Sequence, residues 1–152
     1  MRELYEGCRL CFRHCGVNRL AGERGFCGET DELRLSVAGL HFGEEPPLTG
    51  SGGSGTIFVT GCAMGCPFCQ NYQISRCGMG TIVGEDDFVR IARTLAEAGA
   101  ENLNLVTPSH LAPTLAGYLD AVKTHGIDLP VAWNSSGYES SETVRLLADR
   151  VD

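Results

Sequence analysis

Cys62, Cys66 and Cys69 form a C-x3-C-x2-C arrangement within Cys62-Ala63-Met64-Gly65-Cys66-Pro67-Phe68-Cys69. Gly61, Gly65 and Pro67 disfavour a regular helix there, so the thiols belong to a loop able to wrap one face of a compact cluster. Iron–sulfur clusters are normally held by four thiolates, so three close ligands without an obvious local fourth leave one iron open to an exogenous group. Spacing alone also admits a structural zinc, with a fourth ligand such as His110, and three reduced thiols holding no metal. A second set, Cys8-x2-Cys11-x3-Cys15 with Cys27, supplies enough thiolates for a closed tetrahedral zinc or a fully ligated auxiliary cluster, and both metals accept that donor set. Cys77 is left over and reads as an ordinary thiol.

The elements around the first loop are legible from periodicity. The β-branched run Thr56-Ile57-Phe58-Val59-Thr60 is a buried-strand candidate that ends at the cysteine cluster. A helix is expected from about Asp86, its carboxylate capping the free amides, through Phe88, Ile91, Ala92, Leu95 and Ala98 to a stop at Gly99. Residues 102–106 read as a second strand, roughly 113–125 as a helix stopped by Gly126, Val131-Ala132-Trp133 as a third strand and about 140–148 as a third helix. The order β-α-β-α-β-α favours a parallel α/β sheet, with ligand sites at the C-terminal ends of its strands. Cys62, Thr107 and Asn134 fall just past three such ends.

Composition changes near residue 50, where Glu44-Glu45-Pro46-Pro47 precedes Gly50-Ser51-Gly52-Gly53-Ser54-Gly55. The stretch reads as a boundary between a Cys-rich segment, 1–50, and a core, 51–152. The front segment carries only a short strand, Leu33-Arg34-Leu35-Ser36-Val37, and little core of its own. The Gly/Ser stretch formally fits G-x-G-x-x-G, but it precedes a strand and no Walker lysine follows, so a flexible connector is expected. Glu44 and Glu45 read as a solvated turn.

At 152 residues, 43% hydrophobic and 20% charged, the chain suits one main globular domain. The absence of a signal-like start and of any apolar run of about 18 residues suggests a cytoplasmic protein outside the membrane, so eight cysteines point to metal or redox chemistry and not to disulfides. A formal net charge of −7, with Lys123 the lone lysine, offers no footprint for nucleic acid or an anionic membrane surface.

The C-x3-C-x2-C loop with aromatic Phe68 before its last cysteine resembles the signature of the radical S-adenosylmethionine enzymes. Gly61 and Gln70-Asn71-Tyr72 resemble the branch containing homologues of the pyruvate formate-lyase activating enzyme. Further likeness runs through Cys8-Arg9-Leu10-Cys11, Cys15-Gly16-Val17-Asn18-Arg19, Gly25-Phe26-Cys27, the segment from His41 to Pro47, Asn104-Leu105-Val106-Thr107-Pro108 and Asn134-Ser135-Ser136-Gly137-Tyr138. The resemblance implies a 4Fe-4S cluster on Cys62, Cys66 and Cys69 and an open iron that chelates S-adenosylmethionine. It further implies electron transfer to the sulfonium, giving a 5′-deoxyadenosyl radical. It places Phe68 near the adenine and suggests a low-potential electron donor and a glycyl-radical enzyme as protein substrate.

Two departures qualify the likeness. Many activases carry Gly-Gly-Glu after the second strand, where this chain has Thr107-Pro108-Ser109-His110; Thr107 and Ser109 are candidate cofactor contacts in its place. Asn134 and Ser136 are candidates to reach the ribose or carboxylate, although Asn-Ser-Ser-Gly also suits a turn. The family core is a partial (β/α) barrel of about six βα units, of which this chain supplies about three. A truncated piece of a longer enzyme, or a half that pairs with another copy, is therefore expected. Two readings of a different class are a zinc-stabilised binding or scaffold module and a simple iron–sulfur electron carrier without turnover.

Overall fold

The computed structural model describes all residues from Met1 to Asp152. Its frame is one open sheet of five strands in the order β3-β1-β2-β4-β5. β1 (Arg34–His41) runs antiparallel to β2 (Ser54–Val59), with Ala38 opposite Ile57 and Leu40 opposite Gly55. Between them lies α1 (Pro46–Thr49), a single turn. After β2 come the cysteine loop, the one-turn α2 (Tyr72–Ser75) and β3 (Thr81–Ile82), which pairs antiparallel with the outer edge of β1. β2 is mostly buried because its apolar run lies in the interior of the sheet.

Two crossovers follow. α3 (Glu85–Glu97) leads to β4 (Leu103–Val106), and α4 (Ala112–Thr124) leads to β5 (Val131–Asn134). β2, β4 and β5 are parallel, with Ile57 opposite Leu105 and Leu105 opposite Trp133, and α5 (Ser141–Leu147) closes the series. The expected β-α-β-α-β-α order is present. Gly99 and Gly126 follow the ends of α3 and α4 in the left-handed region, at φ 89° and 72°, as C-terminal stops do. Ser140 caps α5 through its hydroxyl, which accepts from Thr143 N at 3.2 Å.

The start of α3 differs from expectation. Gly84 is its N-cap and Asp86 lies inside the first turn with Glu85 and Asp87, where the acids favour the positive end of the helix dipole without bonding the free amides. The larger difference is in the front segment. Tyr5, Cys8, Leu10, Leu33 and Leu35 belong to the same buried cluster as Ile57, Phe88, Leu105 and Leu115. Its strand is β1, extended to residue 41, so the core is continuous across the Gly/Ser stretch. That stretch is also pinned: one Glu101 carboxylate oxygen accepts from the amides of Ser51 and Gly52, at 3.0 and 2.9 Å. These bonds hold the Glu101 pKa low, those from Gly52 and Ser51 contributing most. The glycine-rich turn thus binds an anion that the chain itself supplies.

Candidate functional site

β2 ends at Val59 and delivers Cys62 to the C-terminal edge of the parallel strands. Gly61 makes the corner at φ +84°, and a Cβ there would sit 2.7 Å from Glu29 Cγ and 2.8 Å from the carbonyl of Cys27, so glycine is required by both conformation and space. Cys62, Cys66 and Cys69 then line one cavity of about 230 Å³. Phe58, Val59 and Val106 form part of its apolar wall, Ile74 and Ser75 enter from α2, and Thr107 and Ser136 enter from past β4 and β5.

The three thiols are free, Cys62 buried and the others partly exposed. Two receive hydrogen bonds: Met64 N–H donates to Cys62 Sγ and Ser75 Oγ donates to Cys69 Sγ, each at 3.4 Å. Such donors stabilise thiolate charge and tune a cluster held by it. No fourth cysteine or histidine lines the cavity. His110, the fourth ligand a zinc reading would use, is buried elsewhere, with Nε2 donating to Thr60 O at 2.7 Å. Burial, then the nearby Arg19 charge, pull its pKa down to about 4. No three His, Cys, Asp or Glu side chains stand at the spacing of ligands around a single ion. A cluster places each thiolate on a different iron, and three thiols facing one cavity with no protein donor for a fourth iron fit that group.

Thr107 and Ser136 are thus brought to the cysteines, and three other expected contacts are placed differently. Phe68 projects into solvent at 87% exposure. Asn134 is exposed, and its carbonyl accepts from Thr107 N at 2.9 Å. Ser109 is buried and donates its hydroxyl to Glu139. Thr107 itself sits at φ 45°, in the left-handed region that a β-branched residue seldom occupies, so the turn after β4 holds strain at the cavity wall.

Two groups at the site had no sequence signal. Ser75 reads as an ordinary polar residue before Arg76 and Cys77. Glu139 follows Gly137-Tyr138 and reads as solvated, yet its carboxylate joins Ser109 to Ser135, whose Oγ lies 2.7 Å away. Burial opposes the charge of Glu139, but hydrogen bonds from Ser109 and Ser135, with further donors, outweigh it and hold the pKa below the usual carboxylate range. Glu139 is therefore a carboxylate behind the turns after β4 and β5, where the Thr-Pro-Ser-His segment lacks one.

The front cysteines collect around a separate enclosed space with Arg13, Arg19, Phe26 and His110. Arg13 reaches from this segment to the cysteine loop, donating from Nε to Ala63 O at 2.9 Å and from Nη2 to Met64 O at 2.8 Å. The Phe26 ring lies 3.7 Å from the Arg13 guanidinium and 4.7 Å from that of Arg76. Cys77 is exposed and outside both sets.

No helix is long and apolar enough to cross a membrane. An uncharacterized protein of Methanocaldococcus jannaschii, MJ0674, is 32% identical over 157 residues, covering 99% of this chain and 45% of that protein, so the chain spans less than half the length of this relative. No solved structure matches. The model of the Radical SAM superfamily matches residues 56–152, the part that contains the cysteine loop, most of β2 and the whole of β4 and β5. The chain belongs to the radical SAM superfamily, and that membership implies a 4Fe-4S cluster and S-adenosylmethionine as cofactors.

Proposed function

We propose that this chain is the catalytic part of a radical S-adenosylmethionine oxidoreductase, similar to the glycyl-radical activating enzymes, that abstracts hydrogen from its substrate. The observation that carries this reading is the convergence of Cys62, Cys66 and Cys69 with Thr107 and Ser136 on one cavity at the C-terminal ends of β2 and β4 and past β5. When bound, the cluster and S-adenosylmethionine supply an electron and a sulfonium whose C–S bond cleaves reductively, giving a 5′-deoxyadenosyl radical.

The chain's own contribution is binding, orientation and exclusion of water. The thiols of Cys62, Cys66 and Cys69 would hold the cluster, and Met64 N and Ser75 Oγ, which donate to Cys62 and Cys69, would stabilise their thiolate charge. Thr107 and Ser136 line the same space, and hydroxyls there suit the amino, carboxylate or ribose groups of the cofactor. Glu139 fixes the turns that present them by binding Ser109 and Ser135. Phe58, Val59 and Val106 keep the floor dry. Phe68, beside Cys69, is the group we assign to cover the adenine, by likeness to the family.

A protein glycine is the proposed substrate class and a low-potential protein the proposed electron donor. This assignment follows from likeness to the activases in Gly61, Phe68 and Gln70-Asn71-Tyr72. The partial-barrel reading is supported by the open edge of β5 and by the apolar groove beside it, lined by Trp133, Val144, Leu147 and Val151, which suits further βα units. The test is to incubate the anaerobically reconstituted chain with dithionite and S-adenosylmethionine and to measure 5′-deoxyadenosine. Its formation, abolished in Cys66→Ala, is expected. No product from a chain that carries a full cluster overturns the reading for this chain.

A further inference from the structure

We propose that Cys8, Cys11, Cys15 and Cys27 hold a second metal centre as four thiolates, with the buried guanidinium of Arg19 as its counter-charge. The four residues come from two stretches, 8–15 and 24–28, that the fold brings around one enclosed space, and none is in a disulfide. Arg19, which the sequence offers as one arginine among several, is fully buried between them.

The charge of Arg19 is the independent observation. A guanidinium does not shed its proton inside a protein, and burying it without an anion is strongly unfavourable. Arg19 has no carboxylate within ion-pairing distance. The nearby acids are committed, Glu29 to Arg34 at 3.3 Å and Asp31 to Arg2. The Arg19 donors go to the carbonyls of Thr30 and His110 and to Cys8 Sγ at 3.8 Å, and the Tyr5 ring covers it at 4.6 Å. Of the groups its donors reach, two are neutral carbonyls and the third is the Cys8 sulfur, the one that bound metal would turn into an anion.

Four thiolates on a divalent zinc leave a dianion, and so do four on an oxidised 4Fe-4S core. The two centres share the chemistry the site calls for. Forming either releases the thiol protons to solvent as the metal–sulfur bonds form. His110 also lines this space. The four thiols are not set as ligands of one ion, so zinc would have to draw them together, whereas a cluster would take them on separate irons. Either metal would anchor Arg13 and Phe26, the residues that brace the Cys62 loop.

This inference is independent of the activity proposed above, and so is its test. The chain is isolated, reconstituted anaerobically with zinc or with iron and sulfide, and its metals are counted by mass spectrometry. Wild type is expected to hold about four irons plus about one zinc, or about eight irons. Cys15→Ser, at an exposed position that spares the core, is expected to lose the zinc or the second set of irons, and Cys77→Ser is expected to lose neither. In a Cys62→Ala/Cys66→Ala/Cys69→Ala background the front metal should remain; zinc there shows four sulfur neighbours at about 2.3 Å by X-ray absorption. A Cys62→Ala/Cys66→Ala/Cys69→Ala chain that takes up neither zinc nor iron, or a Cys15→Ser chain that keeps the full complement, overturns the proposal.

Discussion

Arg13 donates to the carbonyl of Met64 at 2.8 Å, across 51 residues of sequence. With its second bond, to Ala63 O, it ties the front cysteine segment to the loop that carries Cys62, Cys66 and Cys69. Arg13→Ala removes two donors from those carbonyls while leaving all cysteines in place. The expected result is an intact fold with looser hold on the cluster. Loss of iron to a chelator should quicken roughly fivefold, corresponding to about 1 kcal/mol for hydrogen bonds from a partly exposed cation. An unchanged rate contradicts the bracing role.

Ser75 should tune the cluster. Its hydroxyl donates to Cys69 Sγ at 3.4 Å, and a donor to a ligand sulfur favours the reduced, more negative state. Ser75→Ala is expected to lower the reduction potential. A differential of about 1 kcal/mol corresponds to about 40 mV for one electron. A redox titration followed by electron paramagnetic resonance measures it, and a shift upward or of no size counts against the bond.

Thr107 separates strain from function. At φ 45° its β-branched side chain costs about 1–2 kcal/mol in the left-handed region, whereas glycine takes that conformation freely but loses about 0.5–1 kcal/mol more through the unfolded chain. Thr107→Gly should therefore leave stability unchanged or raise it by up to about 1.5 kcal/mol in denaturant unfolding. The same variant should bind S-adenosylmethionine less tightly, because a cavity-lining residue loses its side chain. A variant that unfolds more easily contradicts the strain argument, and one with unaltered affinity contradicts the contact.

Periodicity and punctuation made α3, α4, α5 and the three parallel strands legible, since apolar spacing and the stops at Gly99 and Gly126 agree with one another. β1 was read too short, as its outer residues alternate weakly and gain their strand from pairing with β2. Two-residue β3 exists only by pairing with β1 and has no pattern of its own. At the site, cysteine spacing identified the thiols, but Arg19 and Glu139 were invisible because a charged residue in a polar stretch reads as solvated. Only the fold shows that Arg19 is buried among thiols and that Glu139 binds two serines. Conversely, Ser109 and Asn134 have the right chemistry at the right strand ends, and the turns direct them away from the cysteine cavity.

The most direct measurement is electron paramagnetic resonance of the anaerobically reconstituted, dithionite-reduced chain, with and without S-adenosylmethionine, beside Cys66→Ala. The expected result is a reduced 4Fe-4S signal that shifts when the cofactor is added and that is lost, or replaced by a cofactor-insensitive signal, in the variant. A signal indifferent to S-adenosylmethionine in the wild-type chain, or one that Cys66→Ala leaves unaltered, contradicts an open-iron site on Cys62, Cys66 and Cys69.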